Sequence, residues 1–403
     1  MVKKPVRSIV AAIASAAARW RDPRFPTRER ARDAVSARTT YSPPHVEYAL
    51  DSLFATLRND SIETIIADEL GCLDVLDGFT NRPGRGRVRA LPIGRVCIIS
   101  SRTTIGVAIL PAIFALSAKC SVCIKDREDG LAAAFFATVA EELGELSDCF
   151  GAQAWDGKKD AVKLAGFDAI VAFGGDSALA EIANQLPFQA RLIAYGSKAS
   201  AGYVTREALD DETTVLAMAH RAARDLVLYE SQGCLSLHAL FVERGGVISP
   251  ARFGEQLAAA IAEAAAEFPI GSRSARQLAR LAEARDLATF RAAGEQRVYA
   301  GEAAEFLVVV DPPLEEPPLF LPRAIAVRSV DRPDEAAAYL HRQRITLEAL
   351  AVERHRPDVL EMATQTGAVR IARFGTLQNP PLTGFHGARP RIADFVRWIA
   401  DET

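Results

Sequence analysis

The amino-acid sequence predicts an α/β protein with more than one domain and with parallel, helix-covered sheets. The 403 residues are too many for one compact core. Between about residues 94 and 197, short apolar runs alternate with helical runs, and the alternation resumes after Cys234. Strands that are apolar throughout and separated by helices are typical of parallel sheets that are buried on both faces.

The chain before this alternation is predicted to be mainly helical. Residues 1–85 mix alanine and arginine at helical spacing. The run NRPGRGRVRALPIG (81–94) is rich in Gly, Pro and Arg, which predicts a connector at a domain boundary. We therefore expect a helical N-terminal region at 1–85 and a nucleotide-binding domain at 86–215. A second α/β domain is expected at 216–375, and a C-terminal tail and helix at 376–403.

The individual elements follow from the length and the periodicity of each run. The first alternation predicts strands in GRVCIISS, CSVCIKD, GFDAIVAFGG and ARLIAYGS, with helices in TIGVAILPAIFALSAK, DGLAAAFFATVAEELGEL and DSALAEIANQL. The second predicts strands in HALFVE, AEFLVVVD and AIAVRSV, and a long helix in SPARFGEQLAAAIAEAAAEF. The end of the chain, PRIADFVRWIADET, is predicted to be a helix.

Composition argues against several classes of function. A net charge of −3 indicates no general surface for nucleic acid. No apolar run approaches the length of about 20 residues that a membrane span needs. The six scattered cysteines favour a reducing compartment, and hence a cytoplasmic protein, over a disulfide framework. Cys120 and Cys123 form a C-x-x-C within a strand-like run without a nearby histidine, so no metal site is expected.

Two features of the first alternation could bind a phosphate-containing ligand. Gly174 and Gly175 end a strand, and Asp176-Ser177 opens a helix whose N–H groups could meet a phosphate. A plain strand–turn–helix joint is the equally weighted alternative. Lys125 ends another strand, where it could face a ligand crevice or simply point into solvent.

Cys234 is the candidate nucleophile. It follows the polar Ser231, Gln232 and Gly233 in a loop, ahead of an apolar strand. A catalytic thiol needs access and a means of becoming a thiolate, and His238 is a candidate base. The alternative is that Cys234 only fills the core.

Taken together, CIKDRE, VAFGGDSALAEI, LIAYGSKASAGYV and ESQGC, in this order, resemble the aldehyde dehydrogenase superfamily. The N-terminal RDPRFPTRERARDAVSARTTYSPPHVEYALDSLF and the C-terminal TGAVRIARFGTLQNPPLTGFHGARPRIADFVRWI resemble its LuxC-like acyl-CoA reductases. The resemblance covers nearly the whole chain and implies an aldehyde dehydrogenase-like fold. It implies that Lys125 holds the adenosine ribose and that Gly174, Gly175 and Ser177 lie under the pyrophosphate. It also implies that Cys234 is the nucleophile.

The sequence departs from the superfamily pattern at two catalytic positions. Ala194 stands where hydrolytic relatives carry the glutamate that activates water, so the acyl-enzyme is expected to resist hydrolysis. The asparagine that helps to hold the oxyanion is also absent, and the stretch reads IISSRTTIG. Arg102 or Thr103 is expected to take this role, unless backbone N–H groups suffice.

The expected reaction is the NADPH-dependent reduction of an acyl thioester to an aldehyde through an acyl-Cys234 intermediate. Arg127 could pair with the 2′-phosphate of NADPH. Glu128 matches a position at which NAD-preferring relatives hold the ribose hydroxyls, so NADH is the alternative. The acyl donor is expected to be acyl-CoA or an acyl carrier protein, and homo-oligomerisation is left open. The alternatives are a carrier-dependent tailoring reductase of a biosynthetic pathway and a non-catalytic relative that binds a nucleotide or a partner.

Overall fold

The computed structural model describes residues 2–101, 103–126, 130–144, 149–153, 161–292, 297–302, 305–313 and 315–403. These residues form two compact units, each discontinuous in sequence. The first unit comprises Met1–Thr39, Val46–Ser197 and Pro381–Thr403. The second comprises Thr40–His45 and Lys198–Pro380. No helix in the described ranges is both long enough and apolar enough to cross a membrane.

Four helices precede the first sheet. They are α1 (Val6–Trp20), α2 (Pro26–Arg38), α3 (Pro43–Thr56) and α4 (Asn59–Leu70). The apolar face of α1 is buried, and Trp20 lies at its end. The Trp20 ring contacts Phe54 and Phe135, and its indole N–H donates to Thr138 Oγ1 at 3.0 Å. A large buried aromatic ring whose N–H is satisfied thus ties α1 to the helices around it.

The first unit contains a five-stranded parallel sheet in the order β5-β4-β3-β6-β7. Its strands are β3 (Arg95–Ile99), β4 (Ser121–Lys125), β5 (Phe150–Gln153), β6 (Ala169–Phe173) and β7 (Arg191–Tyr195). Its helices are α5 (Ile109–Ser117), α6 (Leu131–Leu143) and α7 (Asp176–Ala183). The four strands and three helices predicted for this stretch are all present, and the short β5 was not predicted.

A small three-stranded sheet in the first unit corrects two predictions. Residues 81–94 are not a connector, since β1 (Thr80–Arg82) pairs antiparallel with β2 (Gly86–Pro92) in a hairpin. Gly84 and Gly86 have φ values of +74° and +68°, which allow the tight turn. The predicted C-terminal helix is also wrong, because β15 (Val396–Asp401) pairs antiparallel with β2. Hydrogen bonds to a strand some 300 residues earlier outweigh a weak local helical pattern.

The second unit contains a seven-stranded sheet in the order β10-β11-β12-β9-β8-β13-β14. All neighbours are parallel except β10 and β11. The strands are β8 (Ala199–Val204), β9 (Leu237–Glu243), β10 (Arg297–Ala300), β11 (Leu307–Val310), β12 (Ala324–Val330), β13 (Leu347–Val352) and β14 (Arg370–Ala372). The helices are α8 (Glu212–Val227), α9 (Pro250–Glu267), α10 (Ala275–Arg291), α11 (Pro333–Arg342) and α12 (Pro357–Gln365).

The chain passes from the first unit to the second between Ser197 and Lys198. This is earlier than the expected boundary at 215/216, because β8 pairs with β9 and β13 in the seven-stranded sheet. One face of these strands packs on α11 and α12 in a core that includes Tyr203, Phe241 and Leu350. Strand β9, which follows the loop of Cys234, is part of that core.

Candidate functional site

Cys234 lies in a short loop between α8 and β9. A 3₁₀ turn, Leu228–Ser231, follows α8, and β9 begins at Leu237. As a residue, Cys234 is half-buried. Its backbone carbonyl accepts a hydrogen bond of 2.8 Å from Ser200 Oγ, which ties the loop to the start of β8. The backbone at Cys234 is therefore fixed, and the residue is not fully enclosed, as a nucleophile requires.

The turn that leads to Cys234 has an unusual backbone. Tyr229, Glu230 and Ser231 have φ values of +55°, +53° and +52°, and none is glycine. The left-handed conformation costs a residue with a Cβ roughly 1–2 kcal/mol. Ser231 Oγ donates to the Leu226 carbonyl at 2.7 Å, which helps to hold the turn. Strain of this kind persists only where the surrounding structure enforces it.

A buried ion cluster supplies much of that enforcement. The Glu230 side chain is 3% exposed and lies 2.5 Å from Arg323 Nη2 and 3.3 Å from Arg273 Nη2. His45 Nε2 is 3.9 Å from Glu230, and burial lowers the pKa of His45. Arg323 is fully buried, and burial lowers its pKa as well. Glu230 is thus the anion that makes two buried guanidinium groups tolerable.

An ion pair at the seven-stranded sheet contributes to the electrostatics around Cys234. Lys198, just before β8, lies 3.2 Å from Glu348 Oε2 on β13. Burial, and next the negative charge of Glu348, raise the pKa of the Cys234 thiol to about 11, while Lys198 opposes this rise. The thiol is therefore protonated near neutral pH, and its attack on a substrate needs a proton acceptor.

His238 is poorly suited to be that acceptor. The side chain is buried on β9, and its Nε2 lies 3.0 Å from the Gly233 carbonyl oxygen, to which only a protonated nitrogen can donate. Burial lowers the pKa of His238 to about 4. The neutral ring thus fixes the backbone just before Cys234, which is a structural role.

In the first unit, the candidate cofactor residues lie at the carboxyl ends of two strands. Lys125 ends β4 and is largely buried, and its carbonyl accepts from Ser100 Oγ at 3.3 Å. Gly174 and Gly175 follow β6, and α7 begins at Asp176 without a side-chain cap. Ser177 is exposed in the first turn of α7.

The glycine backbone of the turn before α7 is not crowded by neighbouring atoms. A Cβ added to Gly174 would meet only the Ala178 Cβ at 3.9 Å. One added to Gly175 would meet only Ser197 Oγ, also at 3.9 Å. Open glycine backbone and an uncapped helix N-terminus together fit a dinucleotide phosphate.

The other predicted site residues divide into described and undescribed positions. Thr103 is described, and its Oγ1 lies 3.1 Å from Ser101 Oγ. Ala194 lies on β7 opposite Ala172 and packs against an apolar cluster of the first sheet. Arg102, Arg127 and Glu128 lie outside the described residues.

Sequence reasoning missed two groups of residues, one in each unit. The first is a stack of Phe173, Tyr195 and His386, with ring centroids 4.7 and 4.5 Å apart. No local pattern joins His386 to the other two, because it lies far from both along the chain. The second is the pair of Lys198 and Glu348. A single charged residue inside the apolar run LEALAV was the available signal for Glu348.

Comparisons with known proteins agree with this architecture. A family model described as acyl-CoA reductase (LuxC) matches residues 1–397. An NAD-dependent benzaldehyde dehydrogenase from Corynebacterium glutamicum has a similar structure, with a TM-score of 0.75 at 19% identity. The alignment covers 100% of this chain and 86% of that one. A gamma-glutamyl-gamma-aminobutyraldehyde dehydrogenase from Burkholderia cenocepacia J2315 gives a TM-score of 0.73 at 18% identity, over 98% of this chain and 84% of that chain.

Aldehyde dehydrogenase 21 from Physcomitrella patens is similar too, with a TM-score of 0.71 at 11% identity. That alignment covers 98% of this chain and 86% of the moss protein. No curated protein matches the sequence significantly. The structural likenesses, all below 25% identity, confirm the predicted aldehyde dehydrogenase fold.

Proposed function

Because the chain belongs to the LuxC family of acyl-CoA reductases, we propose that it reduces an acyl thioester to an aldehyde through an acyl group held on Cys234. The observation that carries this proposal is the setting of Cys234. The residue is half-buried rather than enclosed in the core, its carbonyl is fixed by Ser200, and a braced left-handed turn precedes it. A core-filling cysteine needs none of these features.

The proposed reaction begins when the Cys234 sulfur attacks the acyl carbon. A carbon–sulfur bond forms to the enzyme, and the bond to the carrier thiol breaks. When bound, a nicotinamide cofactor supplies the hydride that reduces the acyl group. The aldehyde leaves as its bond to Cys234 breaks, which returns the thiolate.

Residues of the first unit would hold the cofactor. Gly174, Gly175 and Ser177 would receive the pyrophosphate at the start of α7, and Lys125 would bind the adenosine ribose. These residues fit the group because the glycine turn is open and the helix terminus is uncapped. Acyl-CoA is the proposed acyl donor because the matching family is one of acyl-CoA reductases.

Mass spectrometry of the intact protein tests the covalent step. Exposure to acyl-CoA without cofactor should add one acyl group, and peptide mapping should place it on Cys234. Cys234→Ala should lose both the adduct and aldehyde formation. Cys72→Ala is the matched control, because Cys72 is also partly exposed and should keep both. An adduct on another cysteine, or activity in Cys234→Ala, would overturn the proposal.

The choice of cofactor is a separate proposal, for NADPH over NADH. It rests on Arg127 as a partner of the 2′-phosphate, and Glu128 argues the other way. The ratio of kcat/KM for the two cofactors measures the preference. We expect a higher value with NADPH. A higher value with NADH would instead assign the deciding role to Glu128.

A further inference from the structure

A β-bulge on β13 sets the direction of Glu348. Strand β13 pairs with β8 through Leu347 opposite Ala199 and through Ala349 opposite Ser200. Glu348 is therefore the extra residue of the bulge and has no paired residue on β8. A bulge of this kind re-aims a side chain, and bulges are over-represented beside active sites.

A second bulge lies on β9, the other neighbour of β8. Strand β8 pairs with β9 through Ser200 opposite Leu237 and through Ala201 opposite Ala239. His238 is the extra residue here. The two bulges flank Ser200, whose hydroxyl donates to the Cys234 carbonyl. Both bulges of the seven-stranded sheet thus lie beside Ser200, the residue that holds the Cys234 loop.

Glu348 carries a charge where the fold alone does not need one. Its side chain is 6% exposed, in a strand that is otherwise apolar. A buried ion pair is often no more stabilising than apolar residues of the same size. Lys198 lies at 3.2 Å from Glu348, and Arg370 on the neighbouring β14 is a second cation whose charge interacts with Glu348. A buried charged group such as Glu348, whose burial costs free energy, indicates a chemical role.

We propose that Glu348 is the general base that accepts the Cys234 thiol proton as the sulfur attacks the acyl carbon, with Lys198 as the residue that positions the carboxylate. This inference rests on the proposed function. The charge of Glu348 raises the pKa of the Cys234 thiol, and that of Lys198 lowers it. Arg370 acts on Glu348, and His238 is engaged with the Gly233 carbonyl.

The proton balance of the step is complete. The S–H bond of Cys234 breaks, its proton moves to the Glu348 carboxylate, and the sulfur bonds to the acyl carbon. The carrier leaves as a thiolate and takes the proton from the Glu348 carboxyl group. The products are the acyl-enzyme, the carrier thiol and an ionised Glu348. Because so little of Glu348 is exposed, bulk water competes poorly for the same carboxylate.

Glu348→Gln tests the proposal through two rates that should move in opposite directions. Loss of the negative charge should lower the pKa of Cys234, so alkylation of the thiol by iodoacetamide at pH 8 should become faster. Loss of the base should slow acylation by acyl-CoA, measured in single turnover by mass, by about 10²-fold or more. A loosened fold would not separate the two rates in this way.

The matched control is Glu353→Gln, just after β13, where Glu353 pairs with Arg221 at 2.8 Å. It should leave both rates within about twofold of the wild type, in line with a substitution outside the site. Glu348→Asp, which keeps a carboxylate, should restore part of the acylation rate. Lys198→Met should slow both reactions, because the thiolate and the Glu348 carboxylate both lose a positive neighbour.

The outcomes separate this inference from the proposed function. Unchanged acylation in Glu348→Gln, or acylation that becomes faster together with alkylation, would overturn the role of Glu348 as a base. Acylation equally slow in Glu348→Asp and Glu348→Gln, with unaltered alkylation, would overturn it as well. Failure of the proposed function would appear differently, as an absence of any acyl adduct on Cys234 of the wild-type protein.

Discussion

Three successive left-handed residues precede Cys234, and a single carboxylate braces them. Glu230 pairs with both Arg323 and Arg273 in the interior of the second unit, and its own backbone carries part of the strain. The same side chain thus stabilises a buried charge cluster and defines where the nucleophile loop starts. Packing of this kind lets a loop hold a thiol as firmly as a regular element would.

Glu230→Gln should therefore destabilise the protein strongly. It leaves two buried guanidinium groups without their anion, which typically costs about 3–5 kcal/mol. Urea unfolding should show this loss in the free energy of unfolding. The exposed pair of Glu267 with Arg224 provides the control, and Glu267→Gln should change stability by about 0.5 kcal/mol or less. Equal effects of the two substitutions would mean that the cluster does not stabilise the turn.

Ala194 provides a second prediction for a single residue. The family resemblance places it where hydrolytic aldehyde dehydrogenases carry a general base. Ala194→Glu should increase the release of free acid from acyl-CoA without cofactor, since a positioned base commonly contributes about 10²–10⁴-fold. The yield of aldehyde per acyl group consumed should fall. The control is Ala194→Gln, which adds similar bulk without a base. If both variants release acid at the wild-type rate, residue 194 does not control hydrolysis.

Among the larger elements, α8 anchors the segment that follows β14. Asp225 on α8 accepts hydrogen bonds from the backbone N–H of Gly375 at 2.6 Å and of Leu377 at 3.0 Å. Burial raises the pKa of Asp225 to about 7, although these hydrogen bonds oppose the rise. One helix residue thus satisfies two backbone donors of an irregular segment at the cost of a buried carboxyl group.

This raised pKa predicts a pH-dependent stability. In the unfolded chain Asp225 should titrate near its usual value of about 3.9. Between that value and about pH 7 the folded state binds the extra proton, so the contribution of Asp225 is full below about pH 4. It is lost as the pH rises through 7. Asp225→Asn should therefore flatten the fall in unfolding free energy between pH 5 and pH 8.

Asp211, the N-cap of the same helix, provides the comparison for this test. It accepts from the Thr214 N–H at 2.7 Å, and this interaction with Thr214 lowers its pKa. Asp211 is therefore ionised in both states between pH 5 and pH 8. Asp211→Asn should lower stability by a similar amount at both pH values and leave the slope unchanged. A slope unaffected by Asp225→Asn would show that Asp225 is ionised throughout this range.

At the scale of the whole molecule, the chain returns to its first unit after completing the second. Residues from Pro381 onward rejoin the first unit, and β15 adds to the sheet of β1 and β2. The Glu69 carboxylate, near the end of α4, accepts from the backbone N–H groups of Arg391, Ile392 and Ala393 at 2.6, 2.8 and 2.9 Å. A single side chain thus fixes the point at which the returning chain docks.

Glu69→Gln should weaken that docking. The amide oxygen cannot replace a carboxylate that accepts three bonds, and hydrogen bonds to a charged group contribute about 1.5–3 kcal/mol each. We expect the free energy of unfolding to fall by about 1.5–3 kcal/mol, the contribution of one such bond. Amide exchange in β15 should become faster. Glu63→Gln on the same helix, where Glu63 pairs with the exposed Arg7 at 3.4 Å, should change neither quantity appreciably. Unchanged exchange in β15 for Glu69→Gln would contradict this role.

Local patterns in the sequence determined the alternation of strands and helices, the glycine turn before α7 and the polar loop that carries Cys234. Apolar periodicity and turn residues act over a few neighbouring positions, so they can be recognised without the fold. Long-range pairing decided the rest. It made a strand of Val396–Asp401, placed β8 in the seven-stranded sheet, and brought Glu348 next to Lys198. Each of these depends on hydrogen bonds or charges between residues far apart in the chain, and only the tertiary structure brings such residues together.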